Sequence, residues 1–129
     1  MIIPFIANSA FISGLLLKVI DVGGAPRVVP VASGDPDSVG NIGVSVDASA
    51  GAGSIINVAI GGTFLCTVVN GATVNIGDVC EKSDVAGQDG RIVTTAPSAD
   101  HTVVALGSGT GDVAGTVKVL CMFKKNESF

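Results

Sequence analysis

The sequence has no tryptophan, no tyrosine and only five phenylalanines in 129 residues, and only 14% of it is charged. Each shortage excludes something. The seven Lys and Arg residues are scattered, against eleven Asp and Glu, for a net charge of −4. Apart from Lys124-Lys125 they form no cluster, so the phosphate backbone of a nucleic acid has nothing to grip. Histidine occurs once, at His101. A Ser-His-Asp arrangement needs a nucleophile and an orienting acid beside it, and Asp100 is its sequence neighbour, which on a strand points to the opposite face. His101 therefore reads as a surface or strand-end residue, and the chain as a protein with no catalytic machinery.

Cysteine is equally sparse. Cys66, Cys80 and Cys121 are odd in number, far apart and without a CxxC pair, which argues against zinc and redox work. Cys66 and Cys121 fall within strand patterns, where free cysteine packs as a small hydrophobe, and a reducing compartment follows. No metal site is expected. Asp35-Pro36-Asp37-Ser38 has fragments of a calcium loop but lacks the remaining ligands and the closing Glu, so it reads as a turn. Long apolar runs are absent as well. Met1–Leu17 is broken by Pro4, Asn8, Ser9 and Ser13, has no basic leader and falls short of a bilayer span, which excludes a membrane anchor.

What remains is Val, Ile and Gly. There are 20 Val and 11 Ile against 6 Leu, and 18 Gly fall between the apolar runs. Stiff β-branched side chains suit a pleated strand, and glycine suits the turns between strands. No window repeats apolar residues at helical spacing, whereas two-residue alternation recurs. In Gly115–Phe123, Val117, Val119, Cys121 and Phe123 share one face, and Thr116, Lys118, Leu120 and Met122 the other. The expected strands are Leu15–Val22, Arg27–Ala32, Asn41–Val46, Ser54–Ile60, Thr63–Val69, Val79–Lys82, Arg91–Thr95, Thr102–Leu106 and Val113–Phe123. Gly61-Gly62, between two of them, predicts a two-residue hairpin. The fold class is all-β: a small β-sandwich or barrel-like domain.

An internal repeat bears on how that domain is built. Residues Asp21–Ser33 resemble Asp84–Ser98, keeping Asp, Val, Gly, Arg and an aliphatic pair in step. Further on, Ile42 aligns with Val103, and Ile56-Asn57-Val58 with Val117-Lys118-Val119. Duplication is one reading; chance similarity in a Val-, Gly- and Ala-rich chain is the other. If the repeat is real, two halves build one sandwich or barrel, since neither buries its apolar face alone.

Mean hydropathy is +0.64, high for a chain that stands alone in water. Covering partner subunits resolve that excess, so a homo-oligomer is expected. The chain divides into an extended apolar N-terminal arm (1–14), a β core (15–123) and a polar tail (124–129). The arm docks on a neighbour through Ile2, Ile3, Phe5, Ile6, Phe11 and Ile12. Two other motifs carry less. Gly107-Ser108-Gly109-Thr110-Gly111 is followed by Asp112 and a strand, not by the helix that a phosphate loop opens. Gly77–Asp84 is similar to the start of a lipoyl or biotinyl carrier domain, but Lys82 precedes the turn and the tip Asp84–Gly87 has no Lys.

The succession Val58–Phe64, Gly71–Cys80, Gly90–Val93, Val103–Gly107 and Gly115–Phe123 resembles the decoration (cement) proteins of tailed-phage capsids. That family shares a Gly-Phe strand, a GxxVxxGD turn and strand, a dG-basic-aliphatic strand and a vGvA strand. Here Val104-Ala105-Leu106 departs from the last, and the N-terminal arm has no counterpart. The resemblance implies a trimer on the outer capsid surface of a virion assembled in the host cytoplasm, with the major capsid protein as partner. It implies no cofactor and no catalytic residue. The alternative is a carrier or small-ligand β domain.

Overall fold

In the computed structural model, residues 1–35, 42–95 and 103–123 are described. His101 and Asp100 lie outside them, as do residues 36–38 of the acidic turn and the tail from 124 to 129. The described residues hold no helix and twelve strands. They are β1 (Ile2–Ile6), β2 (Leu16–Val22), β3 (Ala25–Pro30), β4 (Gly43–Ser45), β5 (Ile55–Ala59), β6 (Thr63–Thr67), β7 (Thr73–Val74), β8 (Val79–Lys82), β9 (Ile92–Thr94), β10 (Val103–Ala105), β11 (Gly109–Thr110) and β12 (Lys118–Phe123). The all-β expectation is met, and the nine expected strands all have counterparts.

The strands make two five-stranded antiparallel sheets and a small ribbon. The first sheet runs β1-β5-β4-β2-β3, the second β6-β12-β10-β8-β9, and β11 pairs with β7. Read strand for strand, the two orders are the same. Backbone hydrogen bonds repeat as well. Asn8 N–H donates to the Val28 carbonyl at 3.0 Å, and Val69 N–H to that of Ile92 at 3.0 Å. Gly14 N–H donates to the Ser45 carbonyl at 2.8 Å, and Gly77 N–H to that of Ala105 at 2.8 Å. Each sheet also curls until its outer strands meet, through the parallel bridges Ala7–Val28 and Val68–Ile92. The chain is thus two barrel-like halves of one plan.

Two sequence expectations change here. Gly61-Gly62 does not make a hairpin. Both edges of β5 are occupied, by β1 and β4, so β6 leaves that sheet and pairs with β12. The glycine pair, with Gly62 at φ 76°, turns the chain from one half to the other. Residues 2–6 of the arm are extended, as expected, and their partner in this chain is β5 (Ile2 opposite Ala59 through Ile6 opposite Ile55). Pro4, with no N–H to give, is tolerated because β1 is an outer strand.

Each half has its own apolar interior. Ala7, Leu17, Val28, Ile56 and Val58 fill the first, with Phe5 and Phe11 packed against them. The second contains Cys66, Val68, Cys80, Ile92, Val103 and Cys121, closed by Phe64 against Phe123 with ring centroids 4.6 Å apart. That second core extends across the joint to Leu16, Val31, Val44 and Ala59 of the first half. Polar contacts reinforce the joint. Thr67 N–H donates to the Gly14 carbonyl at 2.7 Å, Leu16 N–H to that of Gly90 at 2.8 Å, and Ser33 N–H to Asp89 Oδ1 at 2.9 Å.

Candidate protein-binding surface

Side-chain alternation along the outer strands decides which apolar residues reach solvent. In β1, Ile2, Pro4 and Ile6 point outward while Ile3 and Phe5 are turned toward the first core. The six expected anchors are therefore split. Ile2 and Ile6 are exposed, Phe5 and Phe11 pack on the core, Ile3 is half-buried, and Ile12 reaches the second half, where its Cδ1 lies against Gly115. Periodicity did not separate them because Ala7 to Ile12 is irregular, although two-residue alternation over Ile2–Ile6 alone does.

The exposed set is joined by residues that had not been singled out. Ile55 stands opposite Ile6 in β5 and is 74% exposed. Val46 follows β4, with its N–H on the Asn57 carbonyl at 2.9 Å. In the second half, Leu65 and Leu120 are direct cross-strand partners, and Leu106 N–H bonds the Leu120 carbonyl at 2.7 Å. All of these are exposed aliphatics. Between the two groups lies a cleft of about 370 Å³, lined by Met1, Ile2, Val46, Leu65, Phe64 and Lys118. It is an apolar furrow with the Lys118 ammonium at its edge, and burial together with the nearby Arg91 charge lowers the pKa of that ammonium. Lys118 Nζ is held by the carbonyls of Ser13 and Gly115 and by Thr67 Oγ1, at 2.9–3.1 Å.

The remaining sequence motifs resolve into structural roles. Gly107–Gly111 contains β11, and a Cβ at Gly111 would collide with the carbonyls of Val68 and Val69, so glycine there permits close backbone approach. Lys82 is half-buried, its Nζ on the Ser33 carbonyl at 3.1 Å and Asp84 Oδ1 at 3.0 Å, unlike the free tip lysine that a carrier domain modifies. Asp35 bonds Lys18 Nζ at 2.6 Å and Ala32 N–H at 2.8 Å, and the Lys18 contact holds its carboxyl below the ordinary range. The cysteines are free and buried. A hydrogen bond with Cys121, then burial, pushes the Cys66 thiol well up, and burial first of all pushes Cys80 up to about 12. The same hydrogen bond lowers the Cys121 thiol, and all three cysteines, fully buried, pack as small hydrophobes. Among the described residues no group of His, Cys, Asp or Glu is placed to hold a metal.

No protein-family model matches the chain, and no curated protein matches it in sequence. Among solved structures it is similar to the head fiber gp8.5 N base of bacteriophage phi29. The TM-score is 0.65, with 99% of this chain and 100% of that one covered, at 17% identity. The likeness is one of fold, and it extends from end to end.

Proposed function

We propose that this chain is a structural protein of a phage head, seated on the outer surface of the capsid as a decoration or base element. The observation that carries the reading is the full-length likeness of fold to the phi29 head fiber N base. The decoration-protein rhythm in residues 58–123 and the apolar furrow between the two halves support it. The partner is the major capsid protein, and Ile2, at the furrow, is the arm residue offered to it.

The physical effect is linkage. A protein that binds the assembled shell but not free subunits stabilises the shell by mass action. Copies joined to one another gain further, because second and third contacts become intramolecular. Apolar contacts dominate such a surface, so binding survives moderate salt. The test is cosedimentation of the purified protein with undecorated heads, followed by the melting temperature of the heads. The chain should pellet with the heads at micromolar concentration and raise their melting temperature. A chain left in the supernatant, with the melting temperature unmoved, ends this reading.

A further inference from the structure

The identity of plan between the halves permits a residue-by-residue comparison of the joint that unites them. The second half uses Thr67, Lys82, Gly90 and Lys118 to cover the first. By register and the repeated hydrogen bonds, the same positions in the first half are Ile6, Val19, Pro26 and Ile55. The covering set is buried or half-buried, whereas all four of its counterparts are exposed. The covered side behaves alike. Gly14, Leu16, Val44 and Ala59 are buried under the second half, while their equivalents Gly77, Val79, Val104 and Met122 are exposed or half-exposed. Among the described residues, each of these two faces is one side of such a joint with nothing seated on it.

We infer that a second copy of this chain supplies it. The Ile6–Ile55 end of one copy seats on the Ile76–Val104 end of the next, repeating between chains the joint that already holds the two halves of one chain together. The sharpest sign is a pair of side chains. Lys118 Nζ bonds the Ser13 carbonyl at 3.1 Å within the chain. The equivalent of Lys118 is Ile55 and that of Ser13 is Ile76, two isoleucines that are 74% and 72% exposed. Both are uncovered in the single chain, and the joint brings them together between molecules. An ammonium-to-carbonyl contact inside the chain is replaced by an apolar pair between chains. Thr67 N–H on the Gly14 carbonyl likewise has its counterpart in Ile6 N–H and the Gly77 carbonyl of the next copy.

The joint is heterologous, since each copy carries one end of each kind, and it closes into a ring or runs on as a filament according to its rotation. It is independent of capsid binding: a chain that ignores phage heads can still assemble in this way. Sedimentation velocity at tens of micromolar tests it. The wild-type chain should associate. Ile55→Glu and Ile76→Glu alter exposed side chains, so each should keep the wild-type far-UV circular dichroism spectrum, and each alone should be monomeric. An equimolar mixture of the two restores one intact joint per pair and should give dimers and nothing larger, which a patch pairing with itself cannot do. Val113→Lys, on an exposed loop residue outside both ends, should associate as wild type. A monomeric wild-type chain, either single variant associating normally, or a mixture that stays monomeric would overturn the inference.

Discussion

Where the first half places Phe5, Leu17 and Val58 inside its sheet, the second places Cys66, Cys80 and Cys121 at the matching positions of the same strand plan. The lost volume is returned nearby. Val28 becomes Ile92, Ala7 becomes Val68, Ile3 becomes Phe64, and Gly43 becomes Val103. Two interiors of different shape thus sit within one set of hydrogen bonds. Register and turns specify the path of the backbone, and side chains of roughly conserved total volume are then distributed within it. The distribution is local, so a residue that fills one half need not fit the other.

The severest way to break this comparison is to give the first half a residue of the second. A Cβ at Gly43 would press on the Ala59 carbonyl oxygen and stand 2.7 Å from Val58 Cγ1. Gly43→Val should therefore cost about 3 kcal/mol or more, the upper range for overpacking a core. Val103 shows that the position itself accepts valine in the other half. Urea unfolding measures the loss, and a variant as stable as the parent would mean that the two interiors are interchangeable after all. A milder comparison truncates matched positions. Leu17→Ala should cost about 2–5 kcal/mol through its cavity. Cys80→Ala, which removes a single sulfur, should cost about 1 kcal/mol, near the value for one buried methylene. Equal costs would refute the claim that the first interior relies on larger side chains at these sites.

The smallest effect is expected at low pH, where hydrogen bonds depress the pKa of one carboxyl in each half. Asp35 is bonded by Lys18 and Ala32 in the first half, and Asp112 by Thr116 in the second. Both carboxyls are held below their ordinary value of 3.8, chiefly by those hydrogen bonds. A group whose folded pKa is depressed adds stability above its unfolded pKa and loses it as pH falls through the folded value. Melting temperatures should therefore be flat above about pH 5 and decline below pH 4, following the reference carboxylate range. Asp35→Asn and Asp112→Asn should each flatten the decline, and an unchanged acid limb in both would remove these contacts from the account.

The parts legible in the sequence were those with local causes. Alternation and turn residues place Val79–Lys82 to the residue and Leu120 on the outward face of the last strand. The repeat was in register at Asp21 with Asp84 and Arg27 with Arg91. It slipped elsewhere: Val103 matches Gly43 rather than Ile42, and Ile56 matches Val119 rather than Val117. Loops of unequal length between the strands cause the slips, and only hydrogen bonds reveal them. Strand β1 was missed because Pro4 and the irregular residues after Ala7 hide a pairing whose partner lies some fifty residues away. β7 and β11 are two residues each, too short for any period to register. Ile55 and Ile76 could not be singled out as binding residues, since an exposed isoleucine looks like a core one until the sheet around it is known.

The placement of the cysteines has a practical consequence. All three lie within the second half and none within the first, and each is shielded from solvent. A thiol reagent added to the native protein must wait for that half to open. The rate of its reaction then becomes a clock for openings of one half, read against a background to which the other half contributes nothing. Leu17, Val58 or Phe5 replaced by cysteine would install the same clock on the opposite side. Comparing the two rates would tell whether the halves open together or one before the other.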